Sequence, residues 1–385
     1  MPRRETRRGG ERTPISGSHD VLICGASFAG LVAARELAGS GADVLVVDRY
    51  EIGDRQTSAC AAPTQWLAAL GLGDTIRQTF GELVVHTPQT TARMDLPWTF
   101  STFNYRALCQ ALWDSAEARF EIAKVERRGD RHNGDGAIAV RTDRGELSAP
   151  LVVDCLGWRR VLGSGDNVQP PDARLSRGLE VHPPGGGEDF EIWIERGVVP
   201  AGYGWSFPAG DEVRVGVGSF DPRFHVREPT VALAGRLGVE STGYQGNWIP
   251  HRLRRATDAG VFFAGDSAGH CLPLTAEGIR TAFYFAIACA RELSAVLSGR
   301  KSRGQALADY EAFNESHRWK FEAMLRVQQL IPRLPPRMLS AALGGMQRRG
   351  FVDWSFGHYL KIAPPDFAAA GTSPPTGRHG APVAA

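Results

Sequence analysis

Four groups of residues have the types and spacing to do chemistry. The first is Gly25-Ala-Ser-Phe-Ala-Gly30, set between an apolar run at residues 20–24 and helix-spaced apolar residues at 31–37. A dinucleotide-binding turn needs three small positions: one for the tight turn, one for backbone approach to the pyrophosphate, and one for close helix–strand packing. Gly25 and Gly30 suit the first and third, and Ser27 stands at the second. Phe28 and Ala29 open the helix, whose N-terminus favours negative charge. Asp48 ends the next apolar strand, residues 42–47, where an acid can take ribose hydroxyls. Arg49 reads either as a phosphate contact or as a solvated arginine.

The second group lies in residues 261–279, VFFAGDSAGHCLPLTAEGI, a buried-strand pattern that runs through a loop into a helix. Gly265 and Asp266 follow the strand end, where a carboxylate can accept hydrogen bonds from hydroxyls. Pro273 fixes the loop, and Gly278 and Ile279 offer bare backbone N–H groups at the helix start. The third group is the hairpin of residues 200–218. Alternation puts Tyr203, Trp205 and Phe207 on one face and leaves Gly204 and Ser206 nearly bare on the other. Gly216 and Gly218 on the return strand point together, leaving a slot for a flat ligand or another backbone. The competing reading of this stripe is ordinary packed core. The fourth group is two lone side chains. Cys60 is a proton donor, an active-site gate or a small buried thiol, and His270 is an alternative acid or a packing residue.

The elements that must position these groups form a β-α-β opening. A helix at 105–118, strands at 120–125, 137–142 and 147–154, and hairpins from 176 to 220 follow. A buried strand at 261–264 precedes helices at 275–297, 302–329 and 334–347. This order implies an α/β fold: a Rossmann-like domain in discontinuous segments, an inserted antiparallel sheet, and C-terminal helices. The expected division is a disordered basic arm (1–18), nucleotide-domain pieces at 19–82, 104–168 and 251–300, and a hairpin of the substrate domain at 83–103. The substrate sheet then takes 169–250, the C-terminal helices 301–363, and a disordered tail 364–385.

The 385 residues are 43% apolar and 22% charged, with a formal net charge of +2, so nothing favours nucleic acid. The six cysteines show no metal-ligand spacing and read as reduced thiols of a cytoplasmic protein. The opening MPRRETRRGGERTPISGS has no apolar run behind it, and no window suits a membrane span.

GDSAGHCLPLTAEGI resembles the G-D-x-x-G-x-x-x-P-x-x-x-x-G segment of FAD-dependent enzymes with the hydroxybenzoate-hydroxylase architecture. Asp154 to Arg159 is similar to, but looser than, the D-G segment of the hydroxylases. Arg106, in Arg106-Ala-Leu-Cys-Gln-Ala-Leu112, matches a helix start whose arginine contacts the FAD pyrophosphate. Within that superfamily, Pro200, Tyr203, Trp205, Phe207 and Pro208, followed by Gly216-Val-Gly218, resemble the pattern of geranylgeranyl reductases, as does Glu277-Gly278-Ile279. Two departures from the patterns matter, Ser27 and the loose D-G segment, and alanines follow Cys60 where the family places glycines.

The resemblance implies FAD, reduced by NAD(P)H or by a ferredoxin or reductase partner, since no second fingerprint occurs. It implies reduction of isolated C=C bonds in a hydrophobic or prenyl-lipid substrate. Tyr203 and Trp205 would stabilise cationic character, and Cys60 would give a proton. Residues 334–347, with Arg333, Arg337, Arg348 and Arg349 around them, would lie on a bilayer or else cap the substrate domain. The alternatives are an FAD-dependent monooxygenase (epoxidase or hydroxylase), and a reduced-flavin cyclase of the lycopene-cyclase type.

Overall fold

A computed structural model describes residues 13–56, 58–132, 136–164, 175–346 and 349–369. Three sheets organise the chain. The central one has six strands in the order Thr257–Asp258, Val261–Phe263, Leu151–Asp154, Val21–Cys24, Val44–Asp48, Arg119–Ile122. All pairings are parallel except the outer one, Thr257–Asp258 with Val261–Phe263. Its four inner strands are apolar runs, two of them ending in Asp, because both faces are covered there. Helices Phe28–Glu36 and Ile279–Leu297 pack together, and Phe283, Phe285 and Leu293 join Val21, Ile23 and Leu31 in one core. The other face packs on a meander of Gly17–Ser18, Gly145–Ala149, Ile138–Thr142 and Val125–His132.

The eight-stranded sheet runs Gln245–Pro250, Leu175–Val181, Val213–Ser219, Gly202–Pro208, Glu191–Trp193, Ile76–His86, Thr91–Phe103, Ala61–Pro63. It is mixed and not purely antiparallel, because Glu191–Trp193 lies parallel to Ile76–His86. Helix Arg227–Arg236 covers its outer face. There Leu233 sits so close to Gly204 that a Cβ on Gly204 would be 2.6 Å from Leu233 Cδ2. The face expected to be bare is therefore a helix-packing surface.

Several expected elements differ in detail. The run 147–154 is two strands in different sheets, because Pro150 has no N–H to continue a ladder. The helix expected at 302–329 is two, Arg303–Glu315 and Arg318–Leu330, broken at Ser316 and His317. The hairpin placed at 83–103 starts at Ile76. The tail assigned from 364 contributes helix Asp366–Ala369, whose Phe367 ring lies 4.4 Å from Tyr284. Residues 370–385 lie outside the described residues. So do 1–12 of the basic arm, while Gly17–Ser18 pairs with Leu147–Ser148. Helix Arg349–Leu360 was not foreseen, and helix Pro336–Met346 precedes it.

Candidate active site

The C-terminal ends of the central strands form one edge, the place where open α/β sheets bind ligands. Gly25 has φ +112°, and a Cβ on it would stand 2.3 Å from the Cys155 carbonyl oxygen. A Cβ on Gly30 would stand 1.8 Å from the Gly25 carbonyl oxygen. Both positions therefore demand glycine, one for the turn and one for the helix lying on the strand. Ser27 precedes the helix Phe28–Glu36, and its Oγ lies 3.1 Å from the Tyr105 hydroxyl. Asp48 accepts from the N–H groups of Ala26 (2.8 Å) and Tyr50 (3.0 Å), which order the turn. Burial nevertheless raises its pKa above the ordinary carboxylate range.

On the neighbouring strand end, Asp154 accepts from Leu156 N, Leu162 N and Ser267 Oγ (2.7 Å). It joins the 154–162 loop to the Gly265–Ala268 turn. Asp266 lies half-buried within that turn, and burial raises its pKa to about 6 against the pull of Arg254. Pro273 is buried, and its carbonyl accepts from the Gln328 side chain. Ala276 holds a left-handed φ of 52°, a strained conformation for a residue with a side chain.

These edges open into a cavity of about 780 Å³ whose walls are largely apolar. Ser27, Phe28, Ala29, Asp48, Arg49, Gly265, Asp266, Gly278 and Ile279 line it from the dinucleotide side; Tyr203, Trp205, Phe207 and Gly218 line it from the eight-stranded sheet. The aromatic stripe therefore faces the cavity, and the helix-packed face of the sheet is the opposite one. Tyr203 donates to the Thr275 carbonyl at 2.6 Å, and Phe207 stacks on Phe190 at 3.9 Å between centroids. The roof comes from the C-terminal helices: Leu334, Leu339, Leu343, Phe356 and Tyr359 face the cavity. Their partners are Val85, Met94 and Ile192 of the sheet.

The edge geometry fits a flavin dinucleotide. The glycine positions keep side chains out of the turn, and Asp48 and Asp266 both present carboxyl groups to the cavity. The FAD binding domain family matches residues 18–155. Digeranylgeranylglycerophospholipid reductase 3 of Methanosphaera stadtmanae is 24% identical over 362 residues, covering 81% of this chain and 86% of that protein. Menaquinone reductase of Mycobacterium tuberculosis is 27% identical over 313 residues, covering 69% and 74%. A solved geranylgeranyl bacteriochlorophyll reductase-like protein from Thermoplasma acidophilum superposes with a TM-score of 0.79 at 16% identity, covering 92% of this chain and 98% of that one.

Residues 18–155 belong to the FAD binding domain family, and the chain is similar over most of its length to geranylgeranyl-type reductases. It is an FAD-dependent oxidoreductase.

Several residues expected in the site lie elsewhere. Cys60 is fully buried with φ 51°, does not line the cavity, and joins the core with Cys109 and Tyr105. Burial pushes its thiol pKa up, so it suits packing and not proton donation. His270 is fully buried and stacked on Phe285. Its Nδ1 accepts from Gly265 N at 3.2 Å, leaving Nε2 to donate to Asn314 Oδ1 at 3.0 Å. Burial lowers its pKa to about 3, so it is a neutral structural residue. Arg106 is 71% exposed and paired with Asp54 at 2.9 Å, and it does not line the cavity, although its neighbour Tyr105 does. Gly216 leaves no slot. The Trp205 ring lies over it, and a Cβ there would be 2.2 Å from Trp205 Cζ2.

Two buried charged groups had no warning in the motifs. Arg214 donates to the carbonyls of Ala59 (2.7 Å), Cys60 (3.2 Å) and Phe103 (3.0 Å) and pairs with Glu212. Arg280 pairs with Glu277 at 2.7 Å and donates to Leu360 O at 2.9 Å, while Tyr359 donates to the other Glu277 oxygen. Glu277 thus joins the cofactor-side helix to the roof.

Proposed function

We propose that this protein reduces isolated carbon–carbon double bonds in a prenyl lipid, with FAD as its redox cofactor. The carrying observation is that the Tyr203–Trp205–Phe207 face opens into the same cavity as the dinucleotide edge, under an apolar roof. Bound FAD supplies the hydride. Ser27, Phe28, Ala29, Asp48, Arg49, Gly265, Asp266, Gly278 and Ile279 would hold it. An unactivated alkene accepts hydride poorly unless its other carbon gains positive character, and the faces of Tyr203 and Trp205 stabilise that character. Leu339, Leu343 and Phe356 exclude water and take the isoprenoid tail. The substrate class is a prenylated glycerophospholipid or an isoprenoid quinone, the groups named for the two relatives.

Reducing equivalents arrive from transiently bound NAD(P)H or a ferredoxin-type donor, since the sequence carries no second glycine fingerprint followed by a helix. No helix among the described residues is long and apolar enough to cross a membrane. The C-terminal helices instead expose Leu330, Met338, Phe351 and Trp354 (61%), and Arg326, Arg333 and Arg337 of the same segment are also exposed, a combination that suits an anionic bilayer surface. The side chains of Arg348 and Arg349 lie outside the described set.

The deciding experiment is anaerobic incubation of dithionite-reduced holoenzyme with a geranylgeranyl phospholipid, read by mass spectrometry. A gain of two hydrogens is expected. Oxygen gained only in air, or an isomer of unchanged mass, would replace this reading by oxygenation or cyclisation. Cosedimentation with anionic vesicles, lost in Phe351→Ser/Trp354→Ser, checks the bilayer contact.

A further inference from the structure

The reduction proposed above adds a proton as well as a hydride, and the two donors considered from sequence, Cys60 and His270, are both sealed in the core. The cavity wall holds five carboxyl side chains: Asp48, Glu51, Glu180, Asp266 and Glu277. Asp48 is committed to backbone N–H groups and Glu277 to Arg280 and Tyr359. Glu51 is exposed, and Asp266 sits at the cofactor edge. Glu180 alone stands on the aromatic wall, 3% exposed, on strand Leu175–Val181. Its Oε2 accepts from Trp205 Nε1 at 3.2 Å, and its Oε1 lies 2.9 Å from His182 Nε2.

His182 is the informative partner. It does not line the cavity, and its side chain is 8% exposed, so it stands behind Glu180 with an edge toward solvent. Residues 180 and 182 share one face of the strand, while Leu179 and Val181 pack under helix Arg227–Arg236. The arrangement is a line: solvent, imidazole, carboxyl, cavity. The other groups facing Glu180 are few. Gln245 lies directly across the strand pair, Gly216 across the other, and Trp205 beyond it. Arg214, two residues from Gly216, is held by Glu212 and by the backbone carbonyls of Ala59, Cys60 and Phe103.

We propose that Glu180 is the proton donor to the alkene and that His182 resupplies it from solvent; this rests on the reductase reading. The Glu180 O–H bond breaks as a C–H bond forms at one alkene carbon; bound, two-electron-reduced FAD would supply the hydride for the C–H bond at its neighbour and would be the two-electron reductant that balances the step. His182 returns a proton to the carboxylate and takes one from water. Trp205, which donates to the same carboxyl, holds it against the aromatic wall where a prenyl chain would lie.

The test compares wild-type, Glu180→Gln and His182→Ala holoenzymes, loaded with FAD, reduced anaerobically and mixed with geranylgeranyl phospholipid. In Glu180→Gln the single-turnover rate falls about 100-fold and its pH dependence flattens, while FAD affinity and the flavin spectrum stay unchanged. In His182→Ala the first turnover is preserved, later turnovers slow, and added imidazole restores them. Infrared difference spectra of the wild type show a carboxyl band that shifts in D2O and is missing in Glu180→Gln. Dihydro product formed by Glu180→Gln at the wild-type rate with the wild-type pH profile overturns the proton assignment alone. Absence of dihydro product from the wild type overturns the reductase reading and this proposal together.

Discussion

The Tyr203 hydroxyl donates to the Thr275 carbonyl at 2.6 Å and fastens the aromatic strand to the loop that opens the cofactor-side helix. Burial raises the phenol's pKa, so it stays a neutral donor at all ordinary pH. Tyr203→Phe keeps the ring and removes the tether. The expected result is about 1 kcal/mol less stability and a several-fold slower reduction with FAD affinity intact, measured by denaturation and single-turnover kinetics. Loss of FAD binding would show that the tether shapes the cofactor site itself.

Asp266 sets function against stability. Its folded pKa of about 6 lies above the ordinary carboxylate value, so the folded apo-protein binds the proton more tightly than the unfolded chain. Stability of the apo-protein therefore falls as pH rises from about 4 to 6 and levels off above. Asp266→Asn should stabilise the apo-protein at pH 7.5 by up to about 3 kcal/mol while weakening FAD binding. Paired thermal melts and flavin titrations check both signs.

Gly30→Ala places a methyl group 1.8 Å from the Gly25 carbonyl oxygen, so helix and turn must separate. FAD should be lost on gel filtration. Gly304→Ala, in a helix with nothing within 4 Å of the added methyl, should retain FAD and gain about 0.5–1 kcal/mol.

Glu277→Gln leaves the fully buried Arg280 without its carboxylate. Breaking one half of a buried pair costs about 3–5 kcal/mol, and here it also releases Tyr359. The expected readout is a lowered melting temperature together with faster proteolysis between residues 331 and 363. A normal melt with normal proteolysis would mean that the roof is held by its apolar contacts alone.

Much of this was readable in local chemistry. Gly25, Gly30 and Asp48 mark their turn because backbone crowding admits no alternative there. The Tyr203, Trp205, Phe207 alternation marks one face of a strand. Pro150 carried the signal that residues 147–154 are two strands. Other features depend on chain segments far apart. Whether Gly216 is a slot or a seat depends on the rotamer of Trp205, across the ladder. Arg106 could reach a phosphate or Asp54, and its spacing does not choose. Glu180, Arg214 and Arg280 look like surface charges in the chain and become buried only when distant carbonyls and aromatics close around them. The roof helix Arg349–Leu360 is apolar on two sides, so periodicity did not reveal which side covers the cavity.

The roof is anchored at both ends. Arg196 donates to the Pro332 and Leu334 carbonyls at 2.5 and 3.2 Å where it begins. Arg280 donates to Leu360 O, and Trp66 Nε1 donates to Ala363 O at 2.9 Å, where it finishes. A span tied at two abutments would favour a thread drawn beneath it over a lid that swings open. A prenyl chain would then enter lengthwise and slide, presenting successive double bonds to one fixed wall while its headgroup stays outside. The number of bonds reduced would follow from how far the chain can be drawn in.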